Sequence, residues 1–193
     1  MYPKSKAISK NSFYKGVIIT LGDNVRIEIY YSYIELDSYE QYKNLLKAIK
    51  DLDFYDEIRI IHRGIGKDYE NAYRVTKYAK MVKKEQELIL KLFSSVIENK
   101  NLDDLAVLHN ACDECGCDWE HVYESLNSNR FIDEVIFDKN LAVHNNISTL
   151  PVLIINRRYT INKLITEHTL IRILKELHLR EKKTSICQGD NCF

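Results

Sequence analysis

Residues 68–146 hold no proline, and their apolar side chains recur at helical spacing, while the segments on either side read as β-strands. Ala72, Val75, Tyr78, Ala79 and Val82 mark one block, and Leu88, Leu92, Val96 and Ile97 a second. Leu102, Leu105, Leu108 and Cys112 follow, then Trp119, Val122, Tyr123 and Leu126, then Phe131, Val135 and Leu141. Gly116 fits the C-cap of the third block with Cys117 as the apolar residue after it, and Asp118 fits the N-cap of the fourth. The stretch therefore reads as an all-α insertion between two parts of a sheet.

Before it, Val17–Leu21 and Val25–Tyr33 are β-rich runs separated by Gly22-Asp23-Asn24, a hairpin pattern. From Ser38 the period changes: Tyr39, Tyr42, Leu45, Leu46 and Ile49 predict a helix capped by Asp37 or Ser38. Glu57–His62 predicts a second strand, so residues 25–62 form a β-α-β unit. Gly64-Ile65-Gly66 lacks the rest of a dinucleotide fingerprint and reads as a loop.

After the insertion, Val152–Asn156, a turn at Arg157-Arg158, and Tyr159-Thr160-Ile161 predict a hairpin, followed by a helix from about Thr166 to Leu179. The class is α/β, a mixed sheet flanked by helices. The expected organisation is an N-terminal extension and edge strand (1–24), a β-α-β half (25–67), the helical insertion (68–146), a β-β-α half (147–180) and a cysteine-containing polar tail (181–193).

Lys plus Arg and Asp plus Glu both number 28, with no long block of either sign, which argues against nucleic acid or an acidic membrane as partner. Met1–Lys15 has lysines but no apolar h-region, and Val17–Leu21 is too short for a signal peptide or a membrane span, so neither is expected. Five cysteines, an odd number, do not look like a secreted disulfide framework, and the expected location is the cytoplasm. Nothing in the sequence specifies an oligomeric state.

Ile27 to Tyr39, an apolar strand, a short turn and a helix start, resembles the first strand and active-site turn of a DsbA-type thioredoxin fold of the FrnE-like group, in the superfamily that includes 2-hydroxychromene-2-carboxylate isomerases. In that group the turn is Cys-x-x-Cys. The resemblance sets Glu35 and Ser38 where the two thiols would be and Leu36 and Asp37 between them, so the dithiol is lost. Kappa-class glutathione transferases and related isomerases use a serine at the first position, which is Glu35 here. Asn146 to Ile161 is similar to the family's proline, apolar strand and hairpin, and implies that Pro151 is the family's cis-proline. Leu150, Pro151 and Tyr33, with Glu35 and Ser38, would then form a groove for an extended peptide. The tail Cys187 to Cys192 resembles the Cys-x4-Cys segment at the end of FrnE-like chains.

Two functions from different classes follow. One is a peptide- or protein-binding protein whose primary dithiol is gone. The other is a disulfide oxidoreductase using Cys187 and Cys192, with Cys112 and Cys115 as further redox candidates. A third reading, structural zinc, rests on Cys112, Cys115, Cys117 and His109, but half of a zinc knuckle is missing, and Cys112 and Cys117 fit core positions better. No cofactor is implied. The remaining histidines, His62, His121, His144, His168 and His178, read as surface or interface residues, and the tyrosines around the turn as either groove or ordinary packing.

Overall fold

A computed structural model of the chain describes residues 25–186. The Val17–Leu21 strand and the Cys187/Cys192 pair lie outside the described residues. The first half is β1 (Val25–Tyr31), α1 (Leu36–Lys50), a 3-10 turn (Tyr55–Glu57) and β2 (Ile58–Gly64). The insertion is α2 (Glu70–Met81), α3 (Glu85–Ile97), α4 (Leu105–Cys115), α5 (Trp119–Asn127) and α6 (Ile132–His144). The second half is β3 (Val152–Ile155), β4 (Tyr159–Ile161) and α7 (Glu167–Ile186).

The sheet runs β2-β1-β3-β4, with β1 and β2 parallel and the other pairs antiparallel. α1 packs against α7, and α6 packs against β2. This is the α/β arrangement expected, a thioredoxin sheet with an all-α lobe between its halves. Local signals placed two helix ends within the lobe well. Gly116 ends α4 with φ 71, and the N–H of Cys117 reaches back to the carbonyl of Cys112 at 2.9 Å. Asp118 caps α5 by accepting from the His121 N–H at 3.3 Å.

Two boundaries differ from expectation. α1 begins at Leu36 with Glu35 in the N-cap position, so neither Asp37 nor Ser38 is the cap. α7 continues to Ile186, so residues 181–186 are helix rather than tail. The run Arg180-Glu181-Lys182-Lys183 is charged but contains good helix formers and no breaker, and polarity alone does not end a helix.

Strand alternation divides β1 between two environments. Val25, Ile27, Ile29 and Tyr31 enter the main core, which continues through α1, α2, α3, α4 and α7. Tyr30 joins a smaller cluster with Ala142 of α6 and Val152. Arg26 and Glu28 lie on that same second face, where Glu28 is buried.

Candidate functional site

The end of β1 and the start of β3 lie side by side, because Tyr30 pairs with Val152. That register brings the turn after β1 and Pro151 to the same end of the sheet. The Leu150–Pro151 peptide bond is cis. Proline lacks an N–H, so the ladder must stop there.

The turn is tightly held from beneath. The Glu35 N–H donates to the Ser32 carbonyl at 3.2 Å, and the Glu35 carbonyl accepts from the N–H groups of Ser38 (3.0 Å) and Tyr39 (3.3 Å). Ser38 is buried, and its Oγ accepts from the Ser32 N–H at 3.3 Å. The hydroxyl thus ties the strand end to the first turn of α1. Residues 33–39 contain no sulfur, so the turn has no group for thiol exchange.

Tyr73 of α2 supports the turn from the lobe side. Its hydroxyl accepts from the backbone N–H of Tyr33 (3.3 Å) and of Gly66 (3.1 Å) and donates to Ser32 Oγ at 3.4 Å. One side chain thereby serves the turns after β1 and after β2. Gly64, which ends β2 rather than lying in the expected loop, and Gly66 make room for it: a Cβ on Gly64 would lie 2.1 Å from Tyr73 Cδ1, and one on Gly66 would lie 2.1 Å from its hydroxyl. Sequence reading saw only a loop there, because the reason for both glycines is a ring supplied by another element.

The tyrosines around the turn are core residues. Tyr33, placed by expectation in the groove, is 2 % exposed. Its ring stacks on Tyr73 at 5.0 Å and meets Phe93 edge-on at 5.0 Å, and its hydroxyl donates to Thr76 Oγ1 at 2.7 Å. Tyr31 and Tyr42 join the same cluster. Burial pushes the Tyr31, Tyr33, Tyr42 and Tyr73 phenols up from their ordinary value. Ser38 is likewise inside rather than on a groove wall. What the turn exposes instead is Ile34 (51 %) and Leu36 (63 %), with Glu35 and Asp37 between and beside them. Leu150 is half-buried and Pro151 buried.

His62 is not at the surface either: its Nε2 meets the Tyr42 hydroxyl at 3.0 Å, and its Nδ1 lies 2.8 Å from Glu85. His178 is buried and stacks on Phe54 at 3.8 Å. Both were missed because an isolated histidine in a sequence carries no sign of its partner.

Cys112 is fully buried in the lobe and Cys117 nearly so, while Cys115 is half-buried. Contact with Cys117 and burial push the Cys112 thiol up, and burial pushes Cys115 up, which disfavours the reactive thiolate at both redox candidates. His109 stacks on Trp119 at 4.6 Å and faces Asp113. Among the described residues, no group of three or more His, Cys, Asp and Glu side chains is placed to hold a metal ion.

The sheet order, the inserted lobe and the meeting of turn and proline define a thioredoxin fold. Residues 17–174 match the DSBA-like thioredoxin domain, and the chain belongs to that family, of thiol-disulfide oxidoreductase type. It is similar in structure to Wolbachia pipientis alpha-DsbA1, at TM-score 0.72 and 15 % identity over 83 % of this chain and 89 % of that one. A probable DsbA oxidoreductase from Streptomyces coelicolor superposes at TM-score 0.69 and 14 % identity, covering 79 % of this chain and 89 % of its own. The thiol-disulfide exchange protein alpha-DsbA2 of Wolbachia pipientis gives TM-score 0.64 and 17 % identity, covering 85 % and 91 %. No curated protein matches by sequence.

Proposed function

We propose that this protein is a FrnE-like member of the family in which Glu35-Leu36-Asp37-Ser38 stands in place of the primary dithiol, and that it binds an extended segment of a peptide or protein beside Leu150 and Pro151. The observation that carries this reading is the exposed apolar pair Ile34 and Leu36, on a hydrogen-bonded turn at the same end of the sheet as Pro151. Exposed apolar side chains on an otherwise well-packed turn are suited to a partner. The segment that precedes Pro151 can pair main chain to main chain with an extended ligand, while Ile34 and Leu36 meet its apolar side chains. A reducing, cytoplasmic setting is part of the proposal and is supported by the odd number of cysteines. No helix of the described residues is long and apolar enough to cross a membrane.

The test is calorimetric titration with an unfolded, cysteine-free polypeptide, using the natural sequence, a variant with all five cysteines changed to serine, and Leu36→Lys. Binding that survives loss of the cysteines and weakens roughly tenfold with Leu36→Lys is the expected result. Reduction of insulin disulfides that vanishes in Cys187→Ser/Cys192→Ser would instead establish an oxidoreductase working through the tail.

A further inference from the structure

On the face of the sheet away from the main core, a cavity of about 400 Å3 lies between α6 and the β3–β4 turn. We propose that it binds a small organic anion, a carboxylate attached to an apolar aromatic or branched body. It shares no residue with the turn at Ile34–Asp37 or with Pro151, so it stands or falls apart from the peptide-binding reading.

Its charge is lopsided. Arg26, Arg63 and Arg157 line it against a single carboxylate, Glu28. That carboxylate is already engaged and does not repel an incoming anion as a bare one would. Glu28 Oε1 accepts from Arg26 Nε at 3.1 Å and Nη2 at 2.9 Å, and Oε2 accepts from Arg63 Nε at 3.2 Å. Arg63 also pairs with Asp138, which Lys77 neutralises from behind. Glu28 therefore acts as a post that fixes two guanidinium groups in the wall of the cavity. A planar donor held in place loses less freedom when it takes a carboxylate than a flexible lysine would.

Arg157 supplies the exposed part of the charge. It is exposed, has no ion-pair partner among the described residues, and sits on a turn whose backbone is left-handed at Asn156 (φ 50) and Arg157 (φ 57). The turn is anchored, because Asn156 exchanges two hydrogen bonds of 2.8 Å with the Arg26 main chain. A long cation on a fixed turn, beside the cavity and without a partner, suits a ligand's charge.

The apolar part of the ligand is called for by Phe137, Leu141 and Ile154. Phe137 is 57 % exposed, yet the Arg63 guanidinium lies 5.6 Å from the centre of its ring. A ring exposed to water on one side and flanked by a cation on the other favours a ligand that is greasy and negative at once. Inorganic phosphate would answer the charge of Arg157 but leave Phe137 and Ile154 wet. A neutral molecule of the same shape would leave the charge of Arg157 unanswered. The volume falls within the range of small-molecule sites, at about 300–1,000 Å3.

The probe is 4-phenylbutyrate, titrated into the full chain and followed by amide chemical shifts, with 4-phenylbutan-1-ol and inorganic phosphate as controls. The expected result is saturable binding near 0.1–1 mM, roughly, with shifts on β1, α6 and the β3–β4 turn, at least about tenfold weaker binding of the alcohol, and weak phosphate binding. Arg157→Asn keeps a residue that tolerates the left-handed turn and should weaken binding about five- to tenfold. Phe137→Ala, a change at an exposed position, should do the same while leaving the circular dichroism unchanged. Absence of saturation by about 10 mM, shifts that map elsewhere, equal binding of acid and alcohol, phosphate binding as tight as that of the acid, or indifference to both substitutions would each overturn the proposal.

Discussion

The two faces of the sheet are held by different physics. On one, Tyr31 with Tyr33, Tyr42, Tyr73 and Phe93 pack ring to ring, and their phenol tips bond to turns, to Thr76 and to His62, whose Nδ1 faces Glu85. On the other, Arg26, Glu28, Arg63, Asp138 and Lys77 form one chain of ion pairs linking β1, β2, α2 and α6. Aromatic packing gains from burial alone, and its loss scales with area. A buried ion-pair chain contributes little against an apolar replacement, but removing one member leaves the rest charged and dry. The first face tolerates small changes in shape poorly; the second tolerates removal of a pair better than removal of a single charge.

Alkali should break the aromatic face most completely. The folded-state phenol values of Tyr31, Tyr33, Tyr42 and Tyr73 lie above the ordinary 10.0. The unfolded chain therefore releases those protons first, so their stabilising effect is full below that value and is lost as pH rises beyond it. Thermal melting should hold steady to about pH 9.5 and fall steeply above about pH 10.5, with the ring resonances of these four tyrosines changing to those of phenolate only at the unfolding step. Phenolate resonances from any of these four rings while the fold persists would mean that water reaches them.

Asp138→Ala strikes the charged face next hardest, stranding Lys77 and leaving Arg63 with Glu28 alone, at a cost of about 3–5 kcal/mol. Lys77→Met combined with Asp138→Leu should recover most of that loss in urea unfolding. A double variant as unstable as the single one would show that the comparison between the faces is wrong. Tyr73→Phe keeps the ring and removes the hydroxyl shared by the Tyr33 and Gly66 N–H groups, a loss of about 2 kcal/mol. The smallest effect belongs to Ser38→Ala, about 1 kcal/mol, because only the Ser32 N–H loses its acceptor. A neutral Ser38→Ala would mean that water reaches that N–H.

What sequence reading recovered was local. Gly116, Cys117 and Asp118 were placed correctly because a cap is decided within one turn of chain. The β-α-β unit and the hairpin were legible from period and punctuation. The side-chain networks were not. Arg26 and Glu28 alternate with Val25, Ile27 and Ile29, which marks a second face, but nothing nearby announces Asp138, 75 residues beyond Arg63. Tyr33 could equally have lined a groove or packed a core, since tyrosine suits both, and the deciding neighbours came from α2 and α3. Leu36 was read only as one of the pair between the lost thiols, and Ile34 was given no role, though both are the exposed part of the turn; an apolar residue on each side of Glu35 was the available signal.

The Tyr73 hydroxyl also sets an order of events. Tyr33 and Tyr73 are 40 residues apart, so the strand end and the loop at Gly66 gain their common acceptor only after α2 has docked. Closing that much chain costs entropy that local contacts do not return, and the turn at residues 33–37 should be among the last parts of the molecule to take its final shape as the chain folds. A stretch that is rigid in the finished protein is then the one left open longest on the way there.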